Sequence, residues 1–414
     1  MNIGPILRAM KHNRTRVVLI ILEIAMTLAI VTNCINVILA ERAKMSQASG
    51  FDDDNILWMR VRPFSPDYEK EGAIDPAIDS DLRIIQGVPG VRAAANTHFQ
   101  LWEGGGSSTQ VFALNTNARE STPTQIYFGT KDIIDTLGAQ IIEGRAFRDG
   151  DHGVGTQTDP YDKVIITKSL ADMLFPNGGA IGKQIQQGRV GQEAVEHPFT
   201  VIGVMGQFYN PFGRPTSPEP YSDKAIFLPA RVGSYARGWP FLIRTEPGAM
   251  NSVMAEIEKR LAASNAGRVM DFKATSEKKD GWFASSKIVV TTLTCIIVTL
   301  IAVTALGILG LTSLAVAERR KQIGTRRALG ATRADILRYF VLENWLLTTA
   351  GLILGVAGAY ALNFLLVTHV SDVKMQWELV AGGIVLLWSM GLLATIPPAM
   401  RAMAVSPSIA TRSV

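Results

Sequence analysis

Four long stretches of this sequence are almost free of ionisable residues, and that restricts what the chain can fold into more than any other feature. Val17–Ala40 carries one such residue, Glu23, while Ile288–Ala317, Trp345–Val367 and Leu379–Ile396 carry none. Each is near or above the roughly 18–20 residues that cross a hydrocarbon core about 30 Å thick. An apolar content of 47% with 19% charged residues leans toward the membrane class, but the uneven distribution decides it. Between the first two stretches lies a segment of ordinary soluble character. The basic start of the first stretch (Arg8, Lys11, Arg14, Arg16) would also suit a signal peptide. A signal h-region, however, runs only about 7–15 residues, and this run is longer and includes Glu23, Asn33 and Asn36. It is expected to remain as an anchor.

Orientation follows from the Lys/Arg bias of short loops. Residues 1–16 have four basic groups and no acid. The loop Glu318–Arg338 has Arg319, Arg320, Lys321, Arg326, Arg327, Arg333 and Arg338 against Glu318 and Asp335, whereas Thr368–Gln376 has only Lys374 and Asp372. Both basic segments, and both termini, are therefore expected in the cytoplasm. The predicted layout is a cytoplasmic segment (1–16), a membrane helix (17–40), an extracytoplasmic domain (41–287) and a membrane helix with stalk (288–317). Cytoplasmic helices (318–341), a membrane helix (342–367), a short outer loop (368–376), a last membrane helix (377–397) and a cytoplasmic tail (398–414) complete it. The net charge of +5 is carried by the cytoplasmic loops and requires no nucleic acid. Cys34 and Cys295 both fall in membrane stretches, so the outer domain has no disulfide and must rely on its own core.

The outer domain reads as α+β: a split strand–helix–strand body with a mostly β insert at about 110–220. Asn55–Val61, Arg92–Leu101, Lys163–Thr167, Phe199–Met205, Ala225–Leu228 and Phe241–Arg244 are predicted strands. Asp79–Gln86, Ser169–Phe175 and Asn251–Ala263 are predicted helices, the second with Ser169 as N-cap and Pro176-Asn177-Gly178-Gly179 as its stop. The first strand, helix and second strand are expected to form one unit. No catalytic constellation emerges. Ser107 and Ser108 follow a Gly104–Gly106 run that reads as a flexible loop, and His98, His152 and His197 are scattered as surface residues. Gly178–Lys183 (GGAIGK) fails as a phosphate loop, because Asn177 stands in place of the first Gly and Gln184 in place of the Ser/Thr. No cofactor, metal or nucleotide is expected on this chain.

The segment Glu318–Phe340 (ERRKQIGTRRALGATRADILRYF) is the richest local signal. The second membrane helix is expected to continue to Leu329, with Gly330 as its stop. Thr332 caps a new helix, Asp335 being its capping-box partner, and that helix runs into the third membrane stretch. Ile323, Ala328, Leu329, Ile336, Leu337 and Phe340 supply apolar surface among arginines. By physics alone the pair suits equally an interfacial helix held on anionic lipid and a docking surface for a cytoplasmic partner. Gly351 and Gly355, with Ala359, form a small-residue helix-packing face that suits packing within the chain or against a second copy. Glu23, Asn33 and Asn36 are costly in hydrocarbon; Glu23 is expected to pair with a basic residue, and the two asparagines to bond a neighbouring helix or line a polar path.

Glu318–Ala331 resembles the E-x-x-x-E-I-G-x-x-R-A-L-G-A signature of FtsX/MacB-type ABC transporter permeases, and Pro398–Arg412 resembles that family's closing motif. Leu137–Phe147 with Gly144-Arg145-x-Phe147, Lys163–Lys183 with Ile181-Gly182-Lys183, and Thr200–Val204 are similar to MacB-type periplasmic core domains. Gln322, where a Glu is usual, and Ala404, where a basic residue is common, depart from the pattern. The resemblance implies a permease subunit in the bacterial inner membrane, paired with a second permease chain, identical or paralogous, and with a separate cytoplasmic ABC ATPase that hydrolyses the ATP. A periplasmic adaptor and outer-membrane channel belong to the same expectation, with membrane lipid around the helices. Motion entering at Glu318, Arg319, Arg320, Lys321, Gln322, Gly324, Arg327, Gly330 and Asp335 would drive efflux or expulsion of a periplasmic substrate. A lipoprotein-releasing permease and an FtsX-like activator of a cell-wall hydrolase are the alternatives, the latter disfavoured by the size of the outer domain. Ser286–Ala317, uncharged except for Lys287, would be about 48 Å long as a helix and so overruns the bilayer as stalk and lever.

Overall fold

The computed structural model describes residues 14–114, 120–151, 162–191, 197–215, 217–369 and 374–404. Arg8, Lys11, His152, Asp372 and the tail beyond Ala404 lie outside them. The chain divides into two compact units, residues 1–46 with 286–414 and residues 47–285. The first opens with helix α1 (Arg14–Met45) and resumes after the second. The second runs β1 (Ile56–Pro63), α2 (Ile74–Gln86), β2 (Val91–Asn96), β3 (Ser107–Ala113), β4 (Thr122–Gly129), α3 (Ile133–Leu137) and β5 (Ile141–Gly144). It continues with β6 (Lys163–Thr167), α4 (Lys168–Leu174), β7 (Gln184–Gln187), β8 (Phe199–Met205), β9 (Gly213–Arg214), β10 (Ser217–Pro218) and β11 (Ala225–Pro229), and ends with β12 (Trp239–Thr245), α5 (Met250–Ser264), β13 (Arg268–Ala274) and α6 (Thr275–Trp282).

Among the described residues two large sheets organise this unit, beside a two-stranded pairing of β9 with β10. The first has the order β13-β1-β12-β2, with every pairing antiparallel. Strand β12 lies between β1 and β2, so the strand–helix–strand body is split as expected, and β12-α5-β13 is its second half. Alternation turns Leu57, Met59 and Val61 toward Ile78, Leu82 and Ile85 of α2 and Val253, Ile257 and Leu261 of α5, whose spacing of three and four puts each set on one helix face. Helix α2 starts earlier than its predicted Asp79, because Ile74 joins the same apolar stripe. Strand β2 stops at Asn96 rather than Leu101, where the chain turns toward Trp102 at φ 58°. Asp81 and Arg268 form a buried pair at 2.5 Å, each side chain at most 3% exposed, and Trp239 Nε1 donates to the other Asp81 oxygen at 2.8 Å.

The second sheet has the order β5-β8-β6-β11-β4-β3-β7, and β7 also pairs with β8, closing the sheet on itself. Inward residues alternate along the strands as closure requires: Val111, Ile126, Val164, Ile166, Phe199 and Ile226 all belong to its buried core. Strands β6 and β11 are buried on both faces, which accounts for their unbroken apolar runs. The N-cap of α4 is Thr167, ahead of the expected Ser169. Ser107 and Ser108 begin strand β3 instead of a flexible loop. His98 is no surface residue: Nδ1 accepts the Phe128 N–H at 3.2 Å, its ring packs on Phe99 and Phe128, and burial pushes its pKa down. His197 is exposed. Gly144 sits at φ +74°, and a Cβ there would lie 2.2 Å from the Ile202 carbonyl oxygen, so only glycine lets β5 meet β8.

Among the described residues the first unit contains four helices long and apolar enough to cross a membrane: α1, α7 (Ala284–Glu318), α9 (Arg333–His369) and α10 (Trp377–Met403), with the short α8 (Arg320–Ala328) between α7 and α9. Ile20, Ile24 and Leu28 of α1 meet Leu347 and Leu352 of α9 and Leu387 of α10 in one buried core. The glycine face of α9 lies in this packing. A Cβ on Gly351 would stand 2.8 Å from Ile24 Cβ, and one on Gly355 3.0 Å from Leu28 Cβ. Helix α7 is far barer. It touches α1 where Thr27 and Thr304 share a hydrogen bond of 2.7 Å and where the Glu23 carboxylate lies over Gly307. Among the described residues Glu23 has no basic partner, contrary to expectation, because glycine at 307 opens space for it beside α7. Asn33 Nδ2 donates to the Ala29 and Ala359 carbonyls, so it joins α1 to α9. At 35 residues, α7 is about 52 Å long, but it does not run on to Leu329: the helix breaks at Arg319 (φ −93°, ψ 9°).

Two outcomes follow for the second unit. Asp81→Ala leaves Arg268 buried without its carboxylate and should cost about 3–5 kcal/mol, read as a fall in Tm of the purified chain. The Arg145 guanidinium, with Lys163 and the Arg148 N–H, holds the Asp151 carboxyl well below the usual carboxylate range. A depressed folded-state pKa gives stability that is present above the unfolded value of about 3.9 and lost as pH falls below it. Asp151→Asn should therefore lower Tm at pH 7, with the gap to the parent chain closing as the pH is taken below about 4.

Candidate functional site

The basic segment Glu318–Arg338 folds as two helices joined by a tight turn. Helix α8 ends with Leu329 as C-cap, and Gly330 takes φ +100°, a left-handed stop natural to glycine. Thr332 and Asp335 then form a reciprocal capping box: the Asp335 N–H donates to Thr332 Oγ1 at 3.2 Å and the Thr332 N–H to Asp335 Oδ2 at 3.0 Å. The turn is fixed from both sides by its own sequence.

Helix α8 has an inner and an outer face. Ile323 and Gly324 are buried, and Ile323 packs with Ile336, Phe340, Ala399 and Ala402. Arg327 turns inward, its Nη1 donating to the Met403 carbonyl at 3.0 Å, so it caps the C-terminal end of α10. Arg320, Lys321, Gln322, Thr325 and Arg326 line the other side, and Glu318, the last residue of α7, is likewise exposed. The Arg326 guanidinium stacks on the Tyr339 ring at 4.9 Å. Leu329, at the tip, is 84% exposed, an unusual position for leucine between two arginine-bearing turns. The sequence-selected residues thus separate: Gly324, Arg327, Gly330 and Asp335 build the turn and seat it, while Arg320, Lys321 and Gln322 face outward.

Arg319 belongs to neither set. From the break between α7 and α8 its Nη1 reaches Glu343 Oε2 at 2.8 Å and the Tyr339 hydroxyl at 3.2 Å. Arg16 of α1 approaches Glu343 Oε1 at 3.4 Å. Glu343, Arg16 and Tyr339 escaped sequence reasoning. Glu343 stands two residues ahead of the uncharged run Trp345–Val367, and an acid at the start of a membrane stretch is the signal that would have found it.

The glycine face of α9 is part of the same frame. Gly351→Leu would force side-chain atoms into α1 beside Ile24, an overpacking expected to cost about 1–3 kcal/mol and to lower Tm of the solubilised chain, with Gly330→Ala leaving bundle packing unaffected.

A family model described as MacB-like periplasmic core domain matches residues 17–260, and one described as FtsX-like permease C-terminal matches residues 294–407. The macrolide export ATP-binding/permease protein MacB of Chromobacterium violaceum is 27% identical over 249 residues, covering 59% of this chain and 36% of that protein. The chain thus matches about a third of that relative's length. The ABC transporter permease YvrN of Bacillus subtilis, itself uncharacterised, is 24% identical over 428 residues, covering 97% of this chain and 96% of that one. Among solved structures, the periplasmic region of MacB from Actinobacillus actinomycetemcomitans is 14% identical with a TM-score of 0.36, over 57% of this chain and 97% of that one.

Proposed function

Because the chain belongs to the family of permeases with a MacB-like periplasmic core domain and an FtsX-like C-terminal region, we propose that it is the permease subunit of a MacB-like ABC transporter. In this reading a separate ATPase chain engages α8, and its motion passes along α7 to the inserted domain, driving efflux or expulsion of a substrate. The N-terminal end of α1 and the α8 turn are cytoplasmic, the membrane is the inner membrane, and the inserted domain is periplasmic. The two faces of α8 carry the reading. Ile323, Gly324 and Arg327 bind the short helix firmly to the bundle, and Arg320, Lys321, Gln322 and Leu329 are left exposed. A helix so mounted can be pushed without coming loose. Its surface chemistry suits an acidic partner groove with an apolar socket: Arg320, Lys321, Arg326 and Arg333 have no carboxylate partner among the described residues, and charge complementarity favours encounter and register.

A second permease chain completes the proposal. On α7, Val298, Val303, Leu306 and Leu314 are all more than half exposed, as suits a helix covered by lipid and a partner permease. Substitution of Leu329 by Asp tests the docking face. The variant should insert and fold as the parent chain does but lose the ATPase on co-purification from the native membrane, since it removes the apolar contact and adds a like charge to the acidic groove. Recovery of the ATPase at parental yield would refute docking at this tip. Arg327→Ala should weaken capture less directly, by freeing α8 from Met403.

A further inference from the structure

Helix α8 is tethered at both ends by arginine. Arg327 ties its C-terminal end to the last turn of α10. At the other end Arg319, the residue at which α7 breaks, is held by Glu343 and Tyr339 of α9. The backbone hydrogen bonds on either side of the break persist: the Arg319 N–H bonds Ala315 O at 3.2 Å and the Ile323 N–H bonds Arg319 O at 2.9 Å. The break is thus a one-residue kink, not a loop. Besides the Tyr339 hydroxyl, its Arg319 side chain holds a carboxylate, 4% exposed, that is shared with Arg16 of α1 at 12% exposure. Two guanidiniums therefore compete for one acid out of water, and Arg16 Nε and Nη1 are buried without a hydrogen-bond partner. A cluster of this kind is a poor source of stability but a strong constraint on geometry, because ions removed from water tolerate little separation from their counterion.

We infer that Glu343 is a positioning residue that clamps the α7–α8 kink to α1, so that displacement of α8 moves α1 and α7 together instead of pivoting about Arg319. The inference rests on α8 being the entry point of motion. While the clamp holds, a push on α8 is delivered to both helices that flank the inserted domain in the sequence. When it opens, α8 swings freely and the push is lost.

The test measures distances between spin labels on Leu19→Cys of α1 and Thr325→Cys of α8, with Cys34 and Cys295 replaced by alanine, in the full chain in lipid nanodiscs. The clamped chain should give one narrow distance distribution, because α8 keeps a fixed position against α1. Glu343→Gln should still insert but give a broad distribution. Glu343→Asp, which keeps the charge, should restore the narrow distribution, a rescue that a merely space-filling role would not require. A narrow distribution in Glu343→Gln would overturn the clamp. Should that variant fail to insert, Arg16→Gln serves instead: it releases only α1, and must broaden the distribution, or the inference fails. If no ATPase accompanies the parent chain, the proposed function falls, while the distributions of the chain alone still decide whether Glu343 holds the kink.

Discussion

The antiparallel pairing of β1 with β13 is the contact on which the architecture depends. Register runs from Leu57 opposite Ala274 to Pro63 opposite Arg268, so the strand that opens the inserted domain lies beside the strand that closes it. A domain whose ends come together can be inserted between two consecutive helices without forcing them apart. The split strand–helix–strand arrangement follows from the same pairing: β12, arriving after the second sheet is complete, enters between β1 and β2, and the closed β unit grows out of the crossover from β2 to β12. The Asp81–Arg268 pair reinforces this junction, since it joins α2, early in the domain, to the first residue of β13.

What could be read from the sequence was local. Apolar length revealed all four long helices, because crossing hydrocarbon is a property of a contiguous segment. KVIIT at 163–167 and FTVIGVM at 199–205 coincide with β6 and β8, since buried strands are written as short unbroken apolar runs between turn residues. Gly330 and the Thr332/Asp335 box announced the α8–α9 turn through chemistry confined to a few neighbouring residues. Strand order and closure could not be read in this way. Whether β12 lies beside β1, or β7 reaches β8, is decided by side chains far apart in the chain or on a different strand, and the alternation of each strand fits several neighbours equally. Strand β13 was invisible for a related reason: Asp271 and Lys273 interrupt its apolar pattern at an edge, where polar residues protect against pairing with other chains.

The candidate site divides along the same line. Residues chosen by motif turned out to shape the turn, through Gly330 and Asp335, or to fasten it, through Gly324 and Arg327. The residues that control its mobility, Arg16 and Glu343, lie 327 positions apart in sequence and meet only in the folded bundle. Glu23 shows the opposite error. Read as an acid needing a base, it has none among the described residues and lies instead over Gly307, where the missing Cβ leaves room for the carboxylate.

Stability and coupling therefore rest on different chemistry in the helical unit. In the middle of the bundle, packing between α1 and α9 is largely apolar and glycine-mediated, with Ile24 and Leu28 seated over Gly351 and Gly355, where a larger residue overpacks. The basic end is polar, and its contacts are ones that proteins replace with apolar residues at little or no cost when rigidity alone is required. An apolar contact weakens gradually as two helices slide, whereas a buried carboxylate shared by two guanidiniums has one favourable arrangement and a steep penalty around it. Placing the first kind of contact in the middle of the bundle and the second at the α7–α8 kink gives a body that stays assembled while one of its joints keeps a defined angle. That division is what a helix pair needs if it is to carry displacement over the length of α7 without dissipating it where the chain bends.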